Sequence, residues 1–230
     1  MLIVLPPSET KSHGGSGAPL DLAELSFPEL NPVRKELLDA LSALPVDDAL
    51  PVLGISEKLR GEAESNTRLW TNPTMPAIER YTGVLYDALD AASLADTSRL
   101  AVGSALFGVV RAADPIPHYR LSGGTKLGGR TMKSRWGKLI TEALSGEFVV
   151  DLRSGTYQTL GKVPGAVTVR VVSGETRKVI SHFNKHYKGE FARALAPHEA
   201  GSVGDVVDIT RAAGLDIEFD GGPELTLVTP

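Results

Sequence analysis

Apolar and polar residues along the chain follow patterns that predict a mixture of short strands and amphipathic helices. Leu2–Leu5 is a continuous apolar run that ends at two prolines, as a buried strand does. Asn31-Pro32 predicts a helix start, because Asn is a favourable cap and Pro fits the first turn. Apolar residues then recur at helical spacing from Val33 to Leu44, and Pro45 ends this helix. The chain therefore begins with a strand and continues into helices.

The remainder of the chain shows the same mixture. Helices are predicted from Ser56 towards Trp70, from Pro76 to Leu89, over Trp136–Leu144 and over Phe183–Leu195. Strands are predicted at Phe148–Leu152 and Val167–Val172, and a hairpin joins Leu215–Phe219 to Leu225–Val228. These elements do not alternate as regular βαβ units. We therefore predict an α+β (mixed α/β) fold, a single domain over residues 1–230 with a modest mixed sheet surrounded by helices.

Composition narrows the class of protein. The 230 residues are 42% hydrophobic and 23% charged, which is typical of a globular chain. There is no cysteine, so disulfides, thiolate metal ligands and thiol nucleophiles are excluded. No apolar run reaches bilayer length, and no basic segment precedes the first apolar run. We expect a cytoplasmic protein with neither a signal peptide nor a membrane partner.

Charge is distributed unevenly. The formal net charge is −4, which argues against general attraction to nucleic acids. Between Pro115 and Ile140, however, basic residues occur without any Asp or Glu: Arg120, Lys126, Arg130, Lys133, Arg135 and Lys138. A second basic cluster consists of Arg177, Lys178, Lys185, Lys188 and Arg193. Such clusters predict a polyanionic partner or a phosphate-bearing ligand, unless acids distant in sequence neutralise them.

Other residues suggest chemistry less strongly. Lys11 lies in a polar segment directly after the first strand, although the spaced glycines of a phosphate-binding P-loop are missing. Asp151, Ser154 and Tyr157 follow a later strand and could form a polar site or a turn network. His182 and His186 are four residues apart, which makes them weak metal-ligand candidates. Without a further ligand beside them, we predict no metal and no cofactor.

Several segments resemble the YaaA peroxide stress protein family. They occur in the family's order over nearly the whole chain: Met1–Lys11, Ile55–Leu59, Tyr81–Tyr86, Ala105–Arg111, Asp114–Leu121, Trp136-Gly137, Asp151–Ser154, Tyr157 and Lys185–Arg193. The resemblance implies a compact mixed α/β fold with a positively charged cleft. It also implies DNA binding, partly through a helix-hairpin-helix element whose hairpin matches residues 104–108. The implied role is cytoplasmic, in limiting oxidative damage and free iron under peroxide stress.

Two functional hypotheses follow. In the preferred hypothesis, the protein binds double-stranded DNA mainly through its phosphates. Arg111, Arg120, Lys126, Arg130, Lys133 and Arg135 would neutralise phosphates, while Lys11, Lys58, Lys185, Lys188 and Arg193 would line the same cleft. In the alternative, the cleft of an enzyme holds a nucleotide or another small phosphorylated ligand, with Lys11, Tyr119, Arg120 and Asp151 as site residues and iron or haem at His182 or Tyr157. A long open groove would favour DNA, and an enclosed pocket would favour the small ligand.

Overall fold

Short strands and short helices follow one another along the chain. A computed structural model describes residues 1–179 and 183–229. The strands are β1 (Leu2–Leu5), β2 (Gly17–Pro19), β3 (Pro73–Pro76), β4 (Leu100–Ser104), β5 (Gly108–Arg111), β6 (Pro115–Pro117), β7 (Lys126–Leu127), β8 (Arg130–Thr131), β9 (Val149–Asp151), β10 (Val167–Ser173), β11 (Asp216–Glu218) and β12 (Glu224–Thr229). The helices are α1 (Asn31–Ser42), α2 (Val46–Leu53), α3 (Arg60–Asn66), α4 (Ala77–Arg80), α5 (Val84–Leu89), α6 (Met132–Trp136), α7 (Leu139–Ala143), α8 (Gly155–Gln158), α9 (Asn184–Leu195) and α10 (Val203–Ala212). The mixture of helices and strands predicted from the sequence is confirmed, but the main sheet is larger than the modest one expected and has five parallel strands.

A seven-stranded sheet in the order β11-β12-β10-β9-β1-β4-β5 forms the centre of the molecule. Strand β1 is parallel to β4 on one side and to β9 on the other, and β9, β10 and β12 continue the parallel arrangement. The edge strands β5 and β11 are antiparallel to their neighbours. All four side chains of β1 are fully buried, as expected for a central parallel strand that is covered on both faces.

Local signals placed most of the elements correctly. Helix α1 begins at Asn31-Pro32, but its N-cap is Leu30, so Asn31 does not cap the helix as predicted. Strand β11 pairs with β12 as the predicted hairpin. The helix expected from Pro76 to Leu89 is instead divided into α4 and α5. The reason is that Tyr81 leaves the helix and forms an isolated β-bridge with Lys11. The helix expected around Trp136 also divides, because Gly137 adopts a positive φ of 55° between α6 and α7.

The segment expected to form a helix-hairpin-helix element is different in the structure. Residues 105–107 join the antiparallel strands β4 and β5, and Ser104 pairs with Gly108, so this part of the chain is a β-hairpin. Ala105, Leu106 and Phe107 are fully buried, so the turn presents no surface to a DNA phosphate. Trp136 packs over it, and its Nε1 donates to the carbonyl of Ala105 at 2.9 Å. The hydrophobic strands that flank this turn determine its conformation, and the placement of a helical hairpin here was wrong.

Candidate functional site

A cavity of about 630 Å³ opens at the carboxyl ends of β1 and β9. From β1 the chain passes to β4 on one side, whereas from β9 it passes to β10 on the other. Neighbouring strands whose connections diverge in this way leave a crevice between their carboxyl ends, where α/β proteins commonly bind ligands. The cavity is lined by residues from the segments after β1, β6 and β9, and from α8, β10, α9 and β12. Its charged or polar lining includes Ser8, Glu9, Lys11, Arg120, Arg153, Ser154, Tyr157, Arg170, Lys185, Lys188 and Glu224.

Lys11 lies in the wall of this cavity and is almost completely buried. Its Nζ donates to the carbonyl of Ser8 at 3.0 Å and lies 4.4 Å from the ring centroid of Tyr119. Burial, assisted by the positive charge of Arg120, lowers the pKa of Lys11 from 10.5 to about 7, although Glu62 and Glu9 oppose this shift. The amine therefore changes its charge near neutral pH.

Arg120 reaches the same cavity from a segment whose backbone is fixed. The amide side chain of Asn66 accepts from the Arg120 N–H at 2.9 Å and donates to the Arg120 carbonyl at 2.8 Å. The guanidinium contacts Glu9 through its carboxylate and, at 3.2 Å, through its backbone carbonyl. The Glu9 side chain is 68% exposed, whereas that of Arg120 is only 17% exposed. Arg120 is thus a well-positioned, largely buried cation whose acidic partner is exposed.

Arg153 differs from Arg120, although both line the cavity. Its Nε and Nη2 each donate to a carboxylate oxygen of Asp151 at 2.8 Å, and Nη2 also donates to the carbonyl of Gly161 at 2.9 Å. The side chains of Arg153 and Asp151 are only 1% and 4% exposed. This bidentate pair is therefore a fixed part of the structure.

Three further side chains complete the wall. Lys188 donates to the carbonyl of Leu152 at 3.3 Å, and burial lowers its pKa despite the opposing charge of Asp151. The Tyr157 hydroxyl accepts from the N–H of Gly123 at 3.2 Å, and burial raises its pKa. Lys185 is exposed at the rim. The cavity therefore presents cations from its wall and its rim.

The eleven cations predicted to bind phosphate are separated by the fold. Lys11, Arg120, Lys185 and Lys188 line the cavity. The others lie outside it: Arg111 pairs with Glu147, Arg130 and Arg135 pair with Glu36, Arg193 pairs with Asp90, Lys126 and Lys133 are exposed, and Lys58 lies on a second cavity beside His13, Glu62 and His118. Acids distant in sequence thus neutralise part of the basic run. These residues do not assemble into one continuous basic cleft.

The residues of the alternative enzymatic site are also divided. Lys11 and Arg120 line the cavity, whereas Asp151 has both carboxylate oxygens engaged by Arg153. The Tyr119 hydroxyl is buried between those of Tyr81, at 2.8 Å, and Ser104, at 2.7 Å. Burial raises the pKa of Tyr119 well above its usual value. Tyr119 and Asp151 therefore lie outside the cavity lining and contact residues that line it, Lys11 and Arg153 respectively.

One of the two weak metal-ligand candidates can be placed, and it contacts a carboxylate of its own helix. His182 lies outside the described residues, and His186 is 3.3 Å from Glu190 on α9. Sequence reasoning missed Arg153, Arg170 and Glu9. The Asp-x-Arg spacing after a strand was a usable signal for Arg153. No local pattern indicated that Glu9 would meet Arg120.

The fold and the cavity define an α/β protein with a cationic pocket at the point where the strand connections diverge. A family model described as peroxide stress protein YaaA matches residues 1–219. The chain is 66% identical to a UPF0246 protein of Corynebacterium efficiens, over 99% of this chain and 98% of the relative. It is 43% identical to a UPF0246 protein of Streptomyces coelicolor, over 96% and 93% of the two chains. An uncharacterized protein of Campylobacter jejuni is 32% identical over 82% of each chain.

The chain therefore belongs to the YaaA peroxide stress protein family, and the resemblance seen in the sequence is confirmed. Within residues 1–179 and 183–229, no helix has both the length and the apolar character needed to cross a bilayer.

Proposed function

We propose that the protein serves in the peroxide stress response by binding a small phosphorylated molecule, such as a nucleotide, in the cavity between β1 and β9. The observation that carries the proposal is the convergence of Lys11, Arg120, Lys185 and Lys188 on one cavity of about 630 Å³. This volume is typical of small-molecule pockets. The position of the cavity, at the diverging strand ends, is typical of phosphate-bearing ligands.

Arg120 is the best-placed phosphate contact. A guanidinium can donate two parallel hydrogen bonds to a phosphate, and Asn66 holds the backbone that carries it. The exposed carboxylate of Glu9 contacts this guanidinium and occupies the place that a ligand anion would take. Because the Glu9 carboxylate is exposed, water can solvate it when a phosphate takes its place beside Arg120. Lys11 and Lys188 would then face the remaining charge of the ligand.

The test is ligand binding by the purified full-length chain, with a nucleoside monophosphate, a nucleoside triphosphate and pyrophosphate as phosphate probes and the free nucleoside as the control. A phosphate probe at about 100 times its Kd should stabilise the fold by about 2.7 kcal/mol. Arg120→Lys should weaken binding although the charge is kept, and Arg120→Glu should abolish it. Lys126→Glu is the matched control, because it makes the same charge change on an exposed residue outside the cavity.

Two results would contradict the proposal. One is equal stabilisation by the nucleoside and the nucleotide, which would show that the phosphate is not recognised. The other is unchanged phosphate binding by Arg120→Glu, confirmed as folded by circular dichroism. Either result would place the phosphate contacts elsewhere.

Duplex DNA is the second candidate partner, and a different observation favours it. Lys126, Lys133 and Lys138 are exposed around the β7–β8 hairpin and α6, and none has an ion-pair partner among the described residues. Three neutralised phosphates would give the affinity a log–log salt slope of about −2.7, at about −0.9 for each phosphate. Replacing these three lysines with Gln should then weaken DNA binding and leave nucleotide binding intact. A salt-independent affinity for DNA would argue against this partner.

A further inference from the structure

We propose that His13, Glu62 and His118 form a binding site for one divalent transition-metal ion. Each offers a nitrogen or oxygen atom, and these atoms lie within 4.8 Å of one another. The cluster lies beside a second cavity of about 570 Å³, whose lining shares no residue with the cavity of the proposed phosphorylated ligand. The inference therefore goes beyond the proposed function and does not depend on it.

The three side chains come from separate parts of the chain. His13 follows the Lys11 bridge, Glu62 lies in α3, and His118 directly follows β6. The imidazole rings of His13 and His118 stack with their centroids 4.2 Å apart. No local spacing in the sequence relates these residues, which explains why the sequence predicted no metal site here.

The hydrogen bonding of His118 is the strongest argument for a cation. Its Nδ1 lies 3.0 Å from the carbonyl oxygen of Ser12, which can only accept, so Nδ1 must carry a hydrogen. In a neutral imidazole, Nε2 then presents a lone pair. Nε2 lies 2.9 Å from a carboxylate oxygen of Glu62, which also presents lone pairs. Two atoms that both present lone pairs at this distance repel each other unless a cation lies between them. That cation is either a proton or a metal ion.

The segment that carries His13 is held in place by hydrogen bonds from a buried arginine. The fully buried Arg80 donates from Nη1 to the carbonyl of Ser12 at 2.6 Å and to that of Gly14 at 2.9 Å. The same Ser12 carbonyl fixes the His118 ring. A backbone or carboxylate partner that orients a histidine through its second nitrogen is typical of metal ligands.

The distances need only a small adjustment. His13 Nε2 lies 3.8 Å from the second carboxylate oxygen of Glu62. A metal ion bound at about 2.0–2.2 Å by nitrogen and oxygen holds neighbouring ligand atoms about 3–3.5 Å apart. The His13 side chain is 76% exposed and can rotate to close this difference. To bind the ion, His13 must rotate out of its stacking contact with His118.

The donor set identifies the class of ion. Two imidazoles and one carboxylate suit Zn²⁺, Fe²⁺, Co²⁺ and similar ions, whereas Mg²⁺ and Ca²⁺ prefer oxygen ligands only. Three protein ligands leave coordination positions open towards the cavity, so water would complete the shell. The site would thus hold an ion that remains accessible from solvent.

The test uses the full-length chain after treatment with a chelator and dialysis. Co²⁺ is the probe, because its visible absorption reports nitrogen and oxygen coordination, and Zn²⁺ titrated by calorimetry provides the stoichiometry. We expect one ion per chain. His13→Gln and Glu62→Gln should each lower the Co²⁺ affinity by at least about 100-fold, since even partners behind the ligands cost about 10–100-fold. His186→Gln is the matched control, because it removes a histidine that has a glutamate neighbour outside the cluster.

His13→Gln is the variant least expected to disturb folding, because the His13 side chain is exposed and is not part of the hydrophobic core. Glu62→Gln keeps the shape of the side chain and a hydrogen-bonding group beside His118. If both variants are folded and bind Co²⁺ with the parent's affinity and spectrum, the ion is not held by this cluster and the proposal is wrong. Saturation by Mg²⁺ with equal affinity would also overturn it, because that would indicate an ordinary charged surface.

Discussion

Replacing Arg153 by Met tests whether the cavity is built on a buried ion pair. In the parent, both oxygens of Asp151 accept from Arg153 at 2.8 Å, and the two side chains are almost completely buried. Met fills a similar volume but leaves the Asp151 carboxylate without its cation. The carbonyl of Gly161 also loses its donor.

The expected loss of stability is large. Removing one partner of a buried ion pair costs about 3–5 kcal/mol, because the remaining charge is left uncompensated. In a chain of this size, each kcal/mol lowers Tm by about 2–4 °C, so the shift should be about 6–20 °C. Arg170→Met is the matched control. Its side chain is 56% exposed and lies 3.7 Å from Glu224, so the loss should stay below about 1 kcal/mol.

The assay is urea unfolding followed by circular dichroism, with thermal unfolding in parallel. The double replacement Asp151→Leu with Arg153→Met should recover most of the lost stability, because no unpaired charge remains. The reasoning is refuted if Arg153→Met alone unfolds cooperatively and loses less than about 1 kcal/mol. Asp151 would then be accommodated in the fold without Arg153 as its partner.

Three further predictions follow from single residues. Trp136→Ala should cost about 3–5 kcal/mol in urea unfolding, because the ring is fully buried and its cavity would remain; unchanged stability would mean that the ring is not part of the core. With a chelator present, Lys11→Met should be more stable than the parent at pH 6. This advantage should shrink as pH rises from about 7 to 10.5, because in this range the unfolded parent keeps the Lys11 proton that the folded parent has lost, so rising pH stabilises the parent. A stability difference that stays constant with pH would show that the pKa of Lys11 is not lowered. Glu9→Gln should strengthen nucleotide binding in calorimetry by up to about 5-fold, since it removes a competing carboxylate from Arg120; weaker binding would instead mean that Glu9 contacts the ligand.

Local sequence signals predicted the elements whose ends are set by residues close together in the sequence. The Asn-Pro start of α1 and the turn residues between β11 and β12 act within a few positions, so the sequence shows them directly. The strands β4 and β5 were not predicted, because Leu100–Ser104 is short and contains small residues that do not distinguish a strand from a loop. These strands are stabilised by the pairing of β4 with β5 and with β1, which the local sequence pattern does not show.

The candidate site was harder to predict, because its electrostatics depend on contacts between distant residues. The acid-free run around Arg135 suggested a uniform basic surface, yet Glu36, which lies 99 positions away, meets Arg135 in the fold. The sequence singled out Lys11, which follows the first strand, and Arg120, which begins the basic run, and both line the cavity. The sequence could not show that both oxygens of the Asp151 carboxylate would accept hydrogen bonds from Arg153.

Exposure of the acidic partner decides which cation in the cavity is available to a ligand. Asp151 is buried with Arg153, so an incoming anion would have to break a pair whose disruption costs several kcal/mol. Glu9 is exposed to water beside Arg120, so its carboxylate can be solvated when it leaves the pair. Two arginines on one wall, each with a carboxylate contact, therefore have different roles. Arg153 belongs to the structure of the crevice between β1 and β9, and Arg120 is the guanidinium that we propose contacts a phosphate.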